Sequence, residues 1–120
     1  MSGAGGDGRC EFCRIVNGEV AAHELYSGPN AYAFRDLHPV APVHVLVVPR
    51  EHIADASELA LHHGEVLAEM AVAAREVAEL EGVARSGYRL VFNVGPNSGS
   101  QVAHLHMHVI GGRKMSWPPG

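Results

Sequence analysis

The segment HLHMHV, residues 104–109, places three of the chain's nine histidines at every second position. Successive side chains of a β-strand point to opposite faces, so this alternation predicts a strand with His104, His106 and His108 on one face. The three intervening residues are apolar and would face a core. Imidazole can act as a nucleophile, an acid, a base or a metal ligand near neutral pH. The segment therefore indicates covalent catalysis or metal binding, with a plain polar strand face as the third alternative.

The overall composition limits the classes of protein to which this segment can belong. The chain has 120 residues, a net charge of −4 and two cysteines. Its length predicts one domain, and its charge gives no support for a nucleic acid or a membrane surface as a partner. No apolar run approaches the ~20 residues that span a bilayer. Since the first residues contain no apolar signal-peptide segment, we expect a flexible tail over 1–9, a domain over 10–120 and a cytoplasmic protein.

Around the histidine row, the pattern predicts an α+β fold with a five-stranded antiparallel sheet, one long helix and one short helix. The short helix is predicted in CEFCRIVNGE (10–19). The strands are predicted in ELYS (24–27), AYAFRDL (31–37), VHVLVVP (43–49), YRLVFNV (88–94) and HLHMHVI (104–110). The long helix is predicted from Asp55 to Glu81, with Asp55 and Glu58 as a capping box and Gly82 after its last turn. We expect it to cover one face of the sheet.

The loop before the histidine row is NVGPNSGS, residues 93–100. Gly95, Gly99 and Ser100 are small, so backbone N–H groups in this loop could surround a phosphate without obstruction by side chains. The loop lacks the lysine of a P-loop and does not open a predicted helix. Beside three histidines, it indicates phosphorus chemistry.

The segment HLHMHVIGG resembles the H-x-H-x-H-x-x signature of the histidine triad (HIT) family of nucleotide hydrolases and transferases. The similarity runs from CEFCRIVNGE through AFRDLHPVAPVHVLVVPREHI, and the closing GGRKMSWPPG resembles the Hint branch of purine nucleoside phosphoramidases. It implies the HIT fold and hydrolysis of purine nucleoside 5′-phosphoramidates to AMP through a nucleotidyl-histidine. The alternatives are dinucleoside polyphosphate hydrolysis, or a nucleotide- or zinc-binding regulatory module with little turnover.

The resemblance implies a role for each matched residue. His106 would be the nucleophile, His108 would contact the phosphate and the leaving group, and His104 would complete the triad. Asp36 would bind the ribose hydroxyls. The other implied nucleotide contacts are Asn93, Gly99, Ser100 and Val102 at the phosphate, Phe12, Ile15, Phe34 and Leu37 around the purine, and Trp117 near the leaving group. From the residues alone, the four purine contacts are equally compatible with a plain core.

One segment departs from the family pattern. The usual order before the triad is Gly-Gln-x-Val, whereas this chain has Gly99-Ser100-Gln101-Val102. On a strand-like segment, the shift by one place would turn Gln101 to the opposite face and leave Ser100 in the usual position of the glutamine. Ser100 can still donate to a phosphate oxygen, so the departure bears on leaving-group preference.

The pair Cys10 and Cys13, spaced C-x-x-C, is typical of metal binding or redox chemistry in a cytoplasmic chain. Family members that carry this pair often bind zinc with two histidines, one in a P-x-H segment and one at the start of the triad. The resemblance therefore implies a structural zinc site of Cys10, Cys13, His44 and His104. A reduced thiol pair and a redox pair remain the alternatives. No cofactor is expected for catalysis, and His52 is assigned no role.

A homodimer is the expected assembly. The long helix has a wide apolar face, on which Ala71, Ala74 and Ala78 would permit close approach of a second helix. In the family, this helix and the strand near YRLVFNV meet their two-fold copies, which implies a continuous ten-stranded sheet. Pro118 and Pro119 lack N–H donors and cannot extend the last strand, so we expect the C-terminus to cross to the partner.

Overall fold

The computed structural model describes residues 10–99 and 102–120. Helix α1 spans Glu11–Val16 and helix α2 spans Gly64–Leu80. The strands are β1 (Glu24–Ser27), β2 (Ala31–Arg35), β3 (Val43–Pro49), β4 (Tyr88–Phe92) and β5 (Met107–Gly111). They form one antiparallel sheet in the order β1-β2-β3-β5-β4. The predicted α+β fold, with one long and one short helix, is confirmed.

Two of the expectations depend on which residues the structure describes. The predicted tail over residues 1–9 lies outside the described residues, as do Ser100 and Gln101. Among the residues that are described, no helix is both long enough and apolar enough to cross a membrane.

The central strand β3 determines which histidines meet. All seven of its residues are buried, as expected for an apolar strand covered on both faces. It pairs with β5 in a register that places Leu46 opposite His108 and His44 opposite Ile110. Because side chains alternate along each strand, His44 comes to lie diagonally beside His108 on one face of the sheet.

Both faces of the sheet are covered, whereas the sequence predicted a cover on one face. The larger core lies under α2 and includes Val45, Met70, Val77 and Val109. The smaller cluster lies under α1, on the opposite face. Its buried members are Phe12, Ile15, Tyr32, Phe34, Leu46 and Val48. The short helix α1 thus forms part of a second apolar layer, next to the histidines.

The long helix begins at Gly64 rather than at the predicted Asp55. The Asp55 side chain accepts a hydrogen bond from the backbone N–H of Ser57 (2.9 Å) and caps only a 3₁₀ turn, Ala56–Glu58. Such a local hydrogen bond competes with helix formation. Leu59 and Ala60 are then extended, and a second 3₁₀ turn, Leu61–His63, leads into the helix. The predicted end is confirmed, because Gly82 follows the last turn with φ +78°.

Glu69 of α2 ties the β1–β2 hairpin to the helix. Its carboxylate accepts hydrogen bonds from the backbone N–H groups of Asn30 (3.2 Å) and Ala31 (3.1 Å), and from the Tyr26 hydroxyl (3.3 Å). Glu69→Ala leaves these donors without their partner, so it should lower the free energy of unfolding by about 2 kcal/mol in urea denaturation. Glu65→Ala, at an exposed position of the same helix, is the control and should change it by less than about 0.5 kcal/mol. Equal effects of the two substitutions would contradict this role.

Candidate active site

A cavity of about 640 Å³ opens on the α1 side of the sheet. Its lining includes nine of the residues predicted to contact the nucleotide or to act in catalysis: Phe12, Ile15, Phe34, Asp36, Asn93, Gly99, Val102, His106 and His108. Leu37 also lines the cavity, but its side chain is 86% exposed and therefore belongs to the rim. Within the described chain, Trp117 is 82% exposed and lies outside the cavity lining.

The histidine row keeps its predicted alternation although only its last member lies in strand β5. Leu105 and Met107 are buried in the core under α2, while the rings of His106 and His108 stand 5.0 Å apart on the cavity side. The ladder between β3 and β5 ends with Val47 opposite Met107. The next position on β3 that could donate across the ladder is Pro49, which has no N–H, so the strand starts later than predicted.

The His106 ring is held in a defined tautomer. Its Nδ1 lies 2.8 Å from the backbone oxygen of His104. A carbonyl oxygen only accepts hydrogen bonds, so Nδ1 must carry the proton and Nε2 of the neutral ring keeps the lone pair. The ring that lines the cavity therefore offers Nε2 as its nucleophilic atom.

A chain of hydrogen bonds determines the tautomer of His108. The backbone N–H of Val40 donates to Nδ1 of His44 (3.1 Å), so the proton of His44 is on Nε2. That Nε2–H lies 2.9 Å from Nδ1 of His108 and donates to it. His108 must then carry its own proton on Nε2, which lies 3.4 Å from Nδ2 of Asn93. Both atoms are donors and cannot bond to each other, so both are available to a ligand in the cavity. This series of hydrogen bonds leaves the Nε2–H of His108 available to donate to a ligand in the cavity.

Burial keeps the rings of His44 and His108 neutral. Burial and the nearby imidazoles of His106 and His44 lower the pKa of His108 to about 4. Burial also lowers the pKa of His44, against the opposing effect of the Asp36 carboxylate 3.3 Å away. Near pH 7 each ring therefore has one donor and one acceptor, as the hydrogen-bond chain requires.

The glycine loop bends sharply where it meets the cavity. Pro96–Ser98 form a 3₁₀ turn that ends at Gly99, whose φ is +85°. A residue with a side chain would be strained in this left-handed conformation, and a glycine also leaves the backbone open to a ligand. Gly99 lines the cavity together with Asn93 and Val102, the two other residues that the family resemblance implied at the phosphate in the described part of the chain.

A separate group of donor atoms lies at the end of the sheet where β3 stops and β5 begins. The side chains of Cys10, Cys13, His52 and His104 bring their donor atoms within 4.8 Å of one another. Nδ1 of His104 lies 3.2 Å from the Cys10 sulfur and 3.5 Å from the Cys13 sulfur, and Nδ1 of His52 lies 3.3 Å from the Cys13 sulfur. Ligand atoms of a tetrahedral zinc site stand roughly 3.5 Å apart, so these residues fit zinc.

The hydrogen bonds of His104 suit a metal ligand. Its Nε2 lies 3.0 Å from the backbone oxygen of Pro49 and donates to it, which leaves the lone pair of Nδ1 facing the sulfur atoms. The ring is fully buried, and this burial lowers its pKa to about 4. His104 therefore serves this group and lies outside the lining of the cavity.

The sequence predicted His44 as the fourth member of this group, and the structure places His52 there instead. The tautomer of His44 puts a proton on Nε2, which is therefore a donor and offers no lone pair to a metal. For the same reason the second group of neighbouring donors, Asp36, His44 and His108, acts as a hydrogen-bond chain. The pairing of the strands is the feature that could have identified His52. Because β3 and β5 are antiparallel neighbours, residues just after Pro49 and just before Met107 lie at the same end of the sheet.

Comparisons with known proteins found a matching family model and several similar proteins. The model of the HIT domain family matches residues 17–115. The purine nucleoside phosphoramidase of Escherichia coli is 36% identical over 104 residues, which cover 87% of each chain. The 14 kDa zinc-binding protein of Zea mays is 37% identical over 111 residues, 91% of this chain and 86% of that protein. The crystal structure of a HIT family hydrolase from Legionella pneumophila superposes with a TM-score of 0.89 and 44% identity, over 92% of this chain and 99% of the other.

Proposed function

This chain belongs to the HIT domain family, and on that premise we propose that it hydrolyses purine nucleoside 5′-phosphoramidates to the nucleoside monophosphate and an amine. The observation that carries the proposal is the hydrogen bond from Nδ1 of His106 to the carbonyl of His104, which leaves Nε2 free beside an apolar cavity. The name of the Escherichia coli relative supports the same substrate class.

The reaction follows from the tautomer of His106. Its neutral Nε2 attacks the α-phosphorus, the phosphorus–nitrogen bond to the amine breaks, and the amine takes a proton from solvent as it departs. The ring is then a nucleotidyl-imidazolium that still donates through Nδ1 to the His104 carbonyl. Water attacks the phosphorus and breaks the bond to Nε2, which returns neutral His106 and releases the nucleotide.

His108 and Asn93 stabilise the charge that develops on the phosphate. The Nε2–H of His108 can donate to a non-bridging oxygen, and it is held for that task because His44 occupies the other ring nitrogen. His44 is therefore a positioning residue that acts through His108. The Asn93 amide, 3.4 Å from His108, supplies a second polar contact on the same side of the cavity.

The remaining cavity residues suit a purine nucleoside. Phe12, Ile15 and Phe34 form an apolar wall for the base, and Asp36 at the end of β2 offers a carboxylate to the two ribose hydroxyls. The Asp36 carboxylate already accepts from the backbone N–H of His38 (2.8 Å), which fixes its orientation before substrate arrives.

We further propose that Cys10, Cys13, His52 and His104 hold a structural zinc ion. Bound there, zinc would cross-link α1 to the segments after β3 and before β5 and would take no part in the hydrolysis. The four donors and the hydrogen bond from His104 to Pro49 support this assignment, as does the zinc-binding relative.

Elemental analysis of protein purified without added metal tests the zinc site. We expect about one zinc ion per chain, and an almost complete loss of it in the variant His52→Ala. His44→Ala is the matched control and should keep its zinc, because His44 hydrogen-bonds to His108 and Val40 instead. Loss of zinc from His44→Ala with retention in His52→Ala would reverse the assignment.

Turnover of adenosine 5′-phosphoramidate tests the function itself. Product release followed by phosphorus NMR should show AMP formation by the wild-type protein, and a diadenosine polyphosphate should be cleaved far more slowly. Preference for the dinucleotide would favour the alternative hydrolase. Binding of AMP without turnover of either substrate would favour a regulatory module.

We also propose that the working unit is a homodimer formed through β4 and α2. No described strand pairs with the outer edge of β4, where Leu90 is 46% exposed, and Val94, just after the strand, is 43% exposed. The sequence prediction for the helix needs one correction: Ala74 and Ala78 are fully buried within the chain, which leaves Ala71 and Val72 for a partner helix. An open edge with apolar side chains is stabilised by pairing with a second copy.

The C-terminus supports the same assembly. The guanidinium of Arg89 on β4 donates to the backbone oxygen of Ser116, which holds the C-terminal segment beside the open edge. Trp117 follows with 82% of its surface exposed and would reach the partner's cavity near the leaving group.

Sedimentation should give about twice the chain mass of 12.8 kDa. Leu90→Arg should shift the protein to monomer because it places a charge in the apolar contact. Leu61→Arg, at a fully exposed position before α2, is the control and should remain dimeric.

Deletion of residues 116–120 should change the ratio of kcat/KM values between two phosphoramidates more than it changes stability. A fully active wild-type monomer would exclude this assembly.

A further inference from the structure

We propose that Cys10 and Cys13 form a redox switch in which oxidation of the pair to a disulfide by hydrogen peroxide releases the metal and weakens nucleotide binding. The inference rests on the zinc site and the nucleotide cavity of the proposed function, and it adds a modification site that controls both. Three features of the structure support the proposal. The two thiols lie close together, they are two of the four proposed metal ligands, and α1 contacts the catalytic histidines.

The two sulfur atoms lie within 4.8 Å of each other, and Cys10 at the start of α1 is partly exposed while Cys13 is buried. Peroxide therefore meets Cys10 first. Its sulfur attacks one peroxide oxygen, the oxygen–oxygen bond breaks, and a sulfenic acid forms as one water leaves. The Cys13 sulfur then displaces the hydroxyl, which leaves as a second water after protonation by solvent. Two thiols lose two electrons in total, and one peroxide is reduced to two water molecules.

Oxidation removes half of the metal site. A thiolate is the ligand form of cysteine, and a disulfide sulfur has no negative charge to offer. Only His52 and His104 would then remain of the four donors, which is too few for a closed tetrahedral site. Formation of the disulfide and release of the metal are therefore one coupled event.

Phe12 carries the change from the metal site to the cavity. It lies between the two cysteines on α1, its side chain is buried, and it lines the cavity. Its ring packs edge-on against His104 (5.9 Å), His106 (5.2 Å) and Phe34 (5.6 Å). A shift of α1 therefore moves a wall of the base slot and a ring that supports the nucleophile.

His104 makes the second connection. Its side chain faces the two sulfur atoms, while its backbone oxygen accepts the hydrogen bond that fixes the tautomer of His106. When the sulfur ligands leave, the imidazole of His104 loses its partners on Nδ1, and the segment that carries the carbonyl is less firmly held. Oxidation should therefore impair nucleotide binding and nucleophilic attack together.

The test uses the zinc-loaded, reduced wild-type protein, with AMP as the binding probe. After treatment with hydrogen peroxide, a colorimetric chelator should detect about one released zinc per chain, and intact mass should fall by the mass of two hydrogen atoms. Calorimetry should show the Kd for AMP raised by roughly tenfold or more. Dithiothreitol with added zinc should restore it, which distinguishes the thiols from oxidised methionine.

Two controls keep the inference falsifiable. Reduced wild-type protein stripped by a chelator should bind AMP as weakly as the oxidised protein, which requires no substitution. The double variant Cys10→Ser/Cys13→Ser should bind AMP weakly from the start and show no further response to peroxide. An unchanged Kd after disulfide formation, absence of zinc from the reduced protein, or a loss that dithiothreitol and zinc do not reverse would overturn the inference. The test measures AMP binding, so its result does not depend on whether the protein hydrolyses phosphoramidates.

Discussion

His106→Ala should lower the hydrolysis of adenosine 5′-phosphoramidate by at least about a thousandfold, or about 4 kcal/mol of activation free energy, while AMP affinity changes by less than about threefold. The substitution removes the Nε2 lone pair that attacks phosphorus. It leaves the apolar wall, Asp36 and the N–H of His108, on which ground-state binding depends. Steady-state kinetics and calorimetry on the same preparation measure the two quantities separately.

A second variant separates chemistry from structure. His106→Gly should be equally inactive, and free imidazole should restore part of its activity by taking the place of the missing ring. His62→Ala, at an exposed histidine before α2, should keep the wild-type rate. Near-normal turnover by His106→Ala would exclude this residue as the nucleophile.

Metal-free protein should lose about 2 kcal/mol of unfolding free energy between pH 6.5 and pH 5 through His104 alone. Burial lowers the pKa of this fully buried ring from 6.5 to about 4 in the folded protein. Between these two values the unfolded chain binds a proton that the folded chain does not, so stability rises with pH and falls on acidification. Well above pH 6.5 neither state is protonated at this ring, and the effect vanishes.

Urea denaturation in the presence of a chelator, at several pH values, measures this dependence. His104→Gln removes the titrating ring and should flatten the slope by up to about 1.4 kcal/mol per pH unit. His62→Gln is the matched control at an exposed histidine and should keep the wild-type slope. A slope that His104→Gln leaves unchanged would show that the buried ring does not account for the acid sensitivity.

The orientation of the histidine row could be predicted because alternation is a local property. Apolar residues between the histidines require a core on one side, whatever lies across the sheet, and Leu105 and Met107 are buried as that argument requires. The run VHVLVVP could be predicted as a strand from its β-branched residues, and it forms the central strand β3. The glycine loop and its approach to the cavity were also foreseeable, since Gly99 adopts a conformation that disfavours other residues.

The start of the long helix could not be predicted from its pattern. Asp55 and Glu58 match a capping box, but Asp55 closes a turn with Ser57 and the chain extends before the helix begins. Two local hydrogen-bonding solutions were available to the same residues, and packing of the segment against the core selected between them. The exposed and buried alanines of α2 were likewise indistinguishable by residue type, and only the sheet beneath Ala74 and Ala78 decided that they are buried.

The presence of the helices and strands, the glycine loop and the alternation of the triad depend on neighbours along the chain, and they could be predicted without any knowledge of the tertiary structure. Which histidines meet was decided only by the tertiary structure. His44 and His52 stand on the same strand and the loop after it, and each could have joined the two cysteines. The register of β3 against β5 placed His44 beside His108, and the end of the ladder at Pro49 brought His52 to His104. The hydrophobic pattern decides which face each strand buries, but a shift of two residues keeps the same face, so the pattern alone does not choose between registers.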